Sequence, residues 1–161
     1  MYMYAHPGKK LNFMGNEIGH FREWDEKREQ DWNLLEFPLH QCFLRFMEEL
    51  NGIYGSHPAF YEKDYDREGF EWIDCHQEEK CIYAFERISR RERVAAVFNF
   101  SDREQKYLLK IQDARELEPL LSSAWREFGG KETRSSKKLT GSRGEFTVSL
   151  PAYSGGYYLV E

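Results

Sequence analysis

Cys81-Ile82-Tyr83-Ala84-Phe85-Glu86-Arg87-Ile88 and, shortly after it, Val94-Ala95-Ala96-Val97-Phe98-Asn99-Phe100 carry the pattern that decides the fold. In the first run Ile82, Ala84 and Glu86 alternate with Tyr83, Phe85 and Arg87. A period of two gives a strand two unlike faces, as a sheet between two different surroundings requires. Working outward, Phe70–Asp74, Tyr107–Ile111, Leu117–Ser122, Glu145–Leu150 and Tyr157–Val160 are further short β-rich runs. Turn-forming residues separate them: Asp102, Gln112-Asp113, Gly129-Gly130, Gly141, Gly144 and Gly155-Gly156. Short strands with regular turn signals predict an all-β antiparallel sandwich over residues 59–161.

Upstream the period changes. Leu39, Cys42, Phe43, Phe46, Met47, Leu50 and Tyr54 recur at spacings of three and four, one face of an amphipathic helix. Pro38 suits its first turn, and Gly52, Gly55 and Pro58 mark its end. Before it, Met1–Pro7 reads as the tail of a helix whose body lies upstream, and Lys9–Gly15 as a short strand ended by glycine. Asn16–Glu36 is a long charged and aromatic loop, a length that goes with function or with neighbours that tie it down. One strand flanked by helices cannot make a sheet by itself. Residues 1–58 therefore read as one βα unit of a parallel α/β barrel, and the fold class as mixed: a last βα unit followed by the sandwich.

Composition narrows the function. The 161 residues carry 23 basic and 28 acidic side chains, a net charge of −5, with no basic stripe, so no nucleic-acid partner is expected. Lys131, Arg134, Lys137, Lys138 and Arg143 sit among Gly, Ser and Thr and read as a solvated loop. No apolar run is long enough to span a membrane and no signal-peptide pattern is present, so a cytoplasmic setting is expected. Cys42 reads as a small core hydrophobe, and Cys75 and Cys81 flank a turn and would pair only if oxidised. The five histidines are scattered and no zinc pattern occurs, so neither a metal nor an organic cofactor is expected. The aromatic fraction of 16% supplies core area, with the remainder available to stack on sugar faces.

Particular motifs carry a resemblance. Ala5-His6-Pro7-Gly8 with Lys9-Lys10-Leu11-Asn12-Phe13-Met14-Gly15-Asn16-Glu17-Ile18-Gly19 resembles the last barrel strand of bacterial glycogen branching enzymes, of the α-amylase superfamily. Phe21-Arg22-Glu23-Trp24 and Asp31-Trp32-Asn33-Leu34-Leu35-Glu36 are similar to the family's next loop, and Pro38-Leu39-His40 to the opening of its final barrel helix. Phe70-Glu71-Trp72-Ile73-Asp74 and Val97-Phe98-Asn99-Phe100 are similar to its C-terminal β-sandwich. The likeness runs from Met1 to about Phe100; beyond Ser101 only hints such as Phe128-Gly129-Gly130 remain, and a polar Tyr153-Ser154-Gly155-Gly156 replaces the family's more apolar ending.

The resemblance implies a (β/α)8 barrel that cuts an α-1,4 glucan and transfers the piece to a 6-hydroxyl. Retaining chemistry needs a nucleophilic carboxylate and a carboxylic acid about 5 Å apart. In the family these lie on earlier strands, so no catalytic residue is assigned here and the chain alone is expected to be inactive. Loops after each barrel strand line the active face, which makes Asn16, Glu17, Trp24 and Trp32 the candidate substrate-binding residues. Each has a structural alternative: Glu17 bracing neighbouring loops, the tryptophans packing the loop on the barrel. Arg22, Glu23, Asp25 and Asp31 read as a salt-linked network, and His20 and His40 as hydrogen-bonded structural groups. Trp72 and Trp125 offer a glucan platform on the sandwich, against an interface role for Trp72. The expected partner is α-glucan (glycogen or amylose) through a parent enzyme, with self-association through the orphan barrel segment's apolar surface. The alternative function is a stand-alone glucan-binding or structural β-sandwich module.

Overall fold

The computed structural model describes the backbone of residues 1–161 and every side chain except those of residues 77 and 78. A one-turn helix α1 (Tyr2–Ala5) and the long helix α2 (Pro38–Ser56) precede eight strands. These are β1 (Phe70–Gln77), β2 (Ile82–Ile88), β3 (Arg93–Asn99), β4 (Gln105–Lys110), β5 (Glu116–Ser122), β6 (Leu139–Thr140), β7 (Glu145–Leu150) and β8 (Ser154–Val160).

Two antiparallel sheets result, one of six strands in the order β1-β2-β3-β8-β5-β6 and one of two, β4-β7. The alternation in 82–88 is realised literally. Ile82 and Ala84 face the small sheet, with Ala95, Val97, Leu109, Phe146 and Val148 in one core. Phe85 faces the helices, in a second core with Phe46, Leu50, Phe60, Phe98 and Tyr157. The protein is thus three-layered: helices, large sheet, small sheet, each core built from one face of the alternating strands.

The amphipathic helix forms from Pro38, but its buried side chains are Phe46, Met47 and Leu50, while Leu39 is 73% exposed. Only the C-terminal half of its apolar face meets the sheet.

Lys9–Gly15 makes no strand: its backbone is irregular, and the Asn16 N–H closes a turn on the Phe13 carbonyl at 2.9 Å. A strand needs a hydrogen-bonded neighbour, and the described residues supply none beside it. Gly155-Gly156 is a second departure, lying inside β8 and not in a turn. A Cβ on Gly155 would stand 2.6 Å from the Phe98 ring, so glycine is there for room and not for a bend.

One buried cation ties the layers together. Arg87, on the Phe85 face of β2, is fully buried. Its guanidinium donates to the Gly69 carbonyl at 3.1 Å, the Ala5 carbonyl at 2.7 Å and Asp64 Oδ1 at 2.7 Å. Lys10 Nζ approaches the other Asp64 oxygen at 3.6 Å and donates to the His6 and Gly8 carbonyls, each at 2.6 Å. The end of α1 is thereby pinned to the first hairpin of the large sheet.

Candidate functional site

The loop between Gly15 and Glu36 holds its shape through its own polar groups. Asn16–Ile18 is a single 3-10 turn with Gly15 (φ 87°) and Gly19 (φ 66°) at its ends, both in the left-handed region that favours glycine. A Cβ on Gly15 would also meet the His20 side chain at 2.8 Å. Ile18, 1% exposed, anchors the turn, and His40 Nδ1–H on α2 donates to the Ile18 carbonyl at 2.6 Å.

Across the loop, Arg22 Nε donates to Asp31 Oδ2 at 3.0 Å and its Nη2 to Asp31 Oδ1 at 3.1 Å, a two-pronged pair. Arg22 foremost, through that bond, holds the Asp31 carboxyl below the usual carboxylate range. His20 completes the brace: its Nδ1–H donates to the Arg22 carbonyl at 2.9 Å, and Nε2 accepts the Asp31 N–H at 3.1 Å. The same Nε2 lies 3.0 Å from Asp31 Oδ2, so the ring stands against both the backbone and the carboxylate of Asp31. Asp25 pairs with Arg28 at 3.7 Å, and Glu23 takes no part in the network.

The brace shapes an open groove of ≈ 550 Å³ whose walls include Phe13, Met14, Asn16, Arg22, Glu23 and Trp24. Trp24 meets the Phe13 ring edge-on at 5.8 Å and is 41% exposed. Asn16 and Trp24 therefore share one groove. Glu17 and Trp32 stand outside it. Glu17 is half-buried, and its carboxylate makes no hydrogen bond or ion pair among the described residues. Trp32 opens the 3-10 turn Trp32–Glu36 with 50% of its surface exposed. Asp31 is thus held by Arg22, whereas Glu17 makes no ion pair among the described residues. Among the described residues no cluster of three or more His, Cys, Asp or Glu is placed to hold a metal ion.

On the sandwich, Trp72 wedges against Phe70, Phe85 and His6 at 5.2, 5.4 and 6.5 Å, joining α1 to the sheet. Trp125 is 4% exposed and its face is covered by the Arg134 guanidinium at 4.6 Å, so it is no open platform. Sequence reasoning passed over Tyr158 and Glu132, which line a separate half-open cleft with residues of β5 and β7. The signal was Gly156 one position before the Tyr157-Tyr158 pair, hidden once Gly155-Gly156 was taken for a turn.

Residues 72–161, the large sheet from β1 onward together with the small one, match the family profile of the alpha amylase C-terminal all-beta domain. The chain belongs to that family. It is 38% identical over 132 residues to the 1,4-alpha-glucan branching enzyme GlgB of Oceanobacillus iheyensis, covering 80% of this chain and 21% of the relative. The namesake of Oleidesulfovibrio alaskensis is 36% identical over 160 residues, 98% of this chain and 24% of its own length. That of Aquifex aeolicus is 46% identical over 102 residues, 62% of this chain and 16% of the relative. The chain thus spans about a fifth of these relatives. Among solved structures, an Anoxybacillus alpha-amylase superposes on 99% of this chain, using 30% of its own, with TM-score 0.64 and 17% identity. A MutB trehalulose synthase mutant superposes on 74% of this chain, using 18% of its own, with TM-score 0.53 and 18% identity. Both likenesses are of fold.

Proposed function

We propose that the chain works as the C-terminal part of a 1,4-alpha-glucan branching enzyme, an enzyme that moves a cut glucan segment onto a 6-hydroxyl. Residues 1–58 complete a (β/α)8 barrel with a strand, a rim loop and the last helix, and residues 59–161 form the sandwich that buttresses it. One observation carries this reading: the large apolar side chains left exposed between residues 11 and 43. Leu11 is 70% exposed, Met14 52%, Phe21 83% and Leu39 73%. So much large apolar surface marks an interaction face. The rest of a barrel fits it, because barrel strands would give residues 9–15 the hydrogen-bonded neighbours they lack. The likeness to branching enzymes on both sides of residue 58 supports the same reading.

In that setting Asn16, Glu17, Trp24 and Trp32 lie on the loop after the last strand, where barrel enzymes gather substrate contacts. Asn16 and Trp24 meet the α-glucan in their shared groove. Trp32 adds a ring at the rim, and Glu17 accepts hydrogen bonds from the loops that close around it. The catalytic carboxylates belong to earlier strands, and the isolated chain does no transfer. The working environment is the cytoplasm, where glycogen or amylose is the partner.

The test is complementation in trans. The Oleidesulfovibrio alaskensis enzyme is truncated to remove the 160 residues that match this chain, and amylose with iodine reports branching. The chain alone leaves the iodine spectrum unchanged, and the truncated enzyme regains activity when the chain is added. Branching by the chain alone, or no recovery at any ratio, overturns the proposal.

A further inference from the structure

In the rim loop one buried ring nitrogen faces two groups that it cannot satisfy together. The His20 side chain is 3% exposed, against 39% for Asp31. Its Nδ1–H donates to the Arg22 carbonyl at 2.9 Å, a bond that a neutral or a charged ring makes alike. Its Nε2 meets the Asp31 N–H at 3.1 Å and Asp31 Oδ2 at 3.0 Å. The first is a donor and the second an acceptor. Without a proton, Nε2 accepts from the N–H and stands lone pair to lone pair against the carboxylate. With a proton, it donates to the carboxylate, and the N–H loses its acceptor. Histidine is the side chain that exchanges these two states between about pH 5 and 8.

The surroundings hold the two alternatives in place. The Arg22 guanidinium bonds both Asp31 oxygens and, foremost among its neighbours, keeps that carboxyl below the usual range. Asp31 is therefore ionised in either state of the ring. Arg28 acts on the same carboxylate from further along the loop. Glu23, in the groove wall, pairs with none of these groups, and α2 presents His40, whose Nδ1–H is taken by the Ile18 carbonyl at 2.6 Å. Gly15 closes the remaining side: a Cβ there would stand 2.8 Å from His20 Cβ and 2.9 Å from Gln30 Oε1. That Gln30 oxygen is buried and accepts no hydrogen bond among the described residues. Buried polar atoms are paired as a rule, so the pairing of this segment is incomplete in the arrangement observed.

We propose that His20 is a pH-responsive positioning residue of the rim groove: protonation moves its Nε2 bond from the Asp31 backbone to the Asp31 carboxylate. The Arg22–Asp31 ion pair persists in both states, so what changes is the grip of the ring on the backbone. His20 and Arg22 stand in the groove wall with Asn16 and Trp24, and a freed Asp31 backbone alters that wall. Neutral pH favours the braced groove, and acid slackens it. That the change tunes the hold on α-glucan rests on the branching-enzyme reading above.

NMR of the 161-residue chain between about pH 8 and 5 tests it. The His20 ring, the Asp31 amide and the Trp24 indole N–H are expected to shift along one titration curve. His20→Gln offers the Asp31 N–H an acceptor that takes up no proton, and the Asp31 and Trp24 curves vanish. A histidine that only braces the loop would cost that variant stability without coupling the three signals. Asp31 and Trp24 signals that ignore the His20 curve in the parent chain overturn the proposal, whether or not the variant folds. For the glucan, the truncated Oleidesulfovibrio alaskensis enzyme complemented with the chain is assayed on amylose at both ends of the range. On acidification KM rises up to about tenfold more with the parent chain than with His20→Gln, the effect of one lost hydrogen bond, and kcat shows no such difference. Equal KM ratios for the two chains overturn the control of the groove by His20. Coupled NMR curves with no branching from either chain overturn the branching-enzyme reading and leave the loop switch standing.

Discussion

Replacing Arg87 with methionine removes the cation that joins the α1 segment to the sandwich, and its cost follows from the structure. Arg87 is fully buried and the Asp64 side chain is 10% exposed, so this is an interior ion pair. The substitution leaves the Ala5 and Gly69 carbonyls without their side-chain donor and the Asp64 charge with only Lys10, at 3.6 Å. Removing one partner of a buried pair costs roughly 3–5 kcal/mol, because the abandoned charge stays desolvated. Methionine fills most of the volume, so cavity formation adds little. Against a total stability of about 5–15 kcal/mol, that is a large fraction. At roughly 2–4 °C per kcal/mol for a chain of this size, the midpoint falls by about 10 °C. Thermal and urea unfolding followed by circular dichroism measure it. The double variant Arg87→Met with Asp64→Asn recovers part of the loss, since it removes the stranded charge as well. A midpoint within about 2 °C of the parent for Arg87→Met refutes the clamp, as that is the scale of a surface change.

Other expectations follow from single contacts. Gly130→Ala destabilises severely, because the added Cβ would lie 2.0 Å from the Ala124 carbonyl oxygen; little soluble protein or a much lower urea midpoint is expected. Glu86 has its carboxyl raised above 4.5, first by burial, with Arg93 opposing and Glu71 adding to the rise. The folded state therefore holds the proton more tightly, and this group adds stability as pH falls from above the folded value towards 4.5. Glu86→Gln should flatten that part of the stability–pH profile relative to the parent in urea titrations, and an unchanged profile would count against a buried, ionised Glu86. The exposed apolar side chains between residues 11 and 43 predict self-association of the isolated chain, read by sedimentation velocity over a dilution series; a monomer at every concentration contradicts it. Asp31→Asn removes the charge that Arg22 grips and loosens the rim loop, seen as faster amide exchange over residues 20–31 with the sandwich unaffected.

Local patterns were legible where one period ran through them. Glu145–Leu150 forms between the residues the alternation marked, and β2 begins one residue later than read. The helix starts at Pro38 as its spacing said. The pattern also placed Arg87 on the Phe85 face, but alternation alone does not distinguish a buried, triply bonded cation from one reaching solvent. Lys9–Gly15 looked like a strand because its composition is that of one, yet strand formation depends on a neighbour the local sequence does not encode. Gly155-Gly156 was misread because glycine marks both turns and close approach, and only the Phe98 and Tyr158 rings reveal which applies. The unequal widths of the two sheets, and hence the cleft, depend on pairings between residues as distant as Ala96 and Tyr157. In the rim loop the residue types were visible, but not their partners. Arg22 took Asp31 and left Glu23 out, and Asn16 joined Trp24 without Glu17 or Trp32.

The central claim is that this chain acts as one part of a larger glucan-transferring enzyme. The direct measurement is a blot of source-cell extract with antiserum raised against the chain. Since 160 of its residues amount to 24% of a branching-enzyme relative, the account predicts a band about four times heavier than 19.3 kDa. A sole band at 19.3 kDa would contradict it and make the sandwich's own glucan binding the function to pursue.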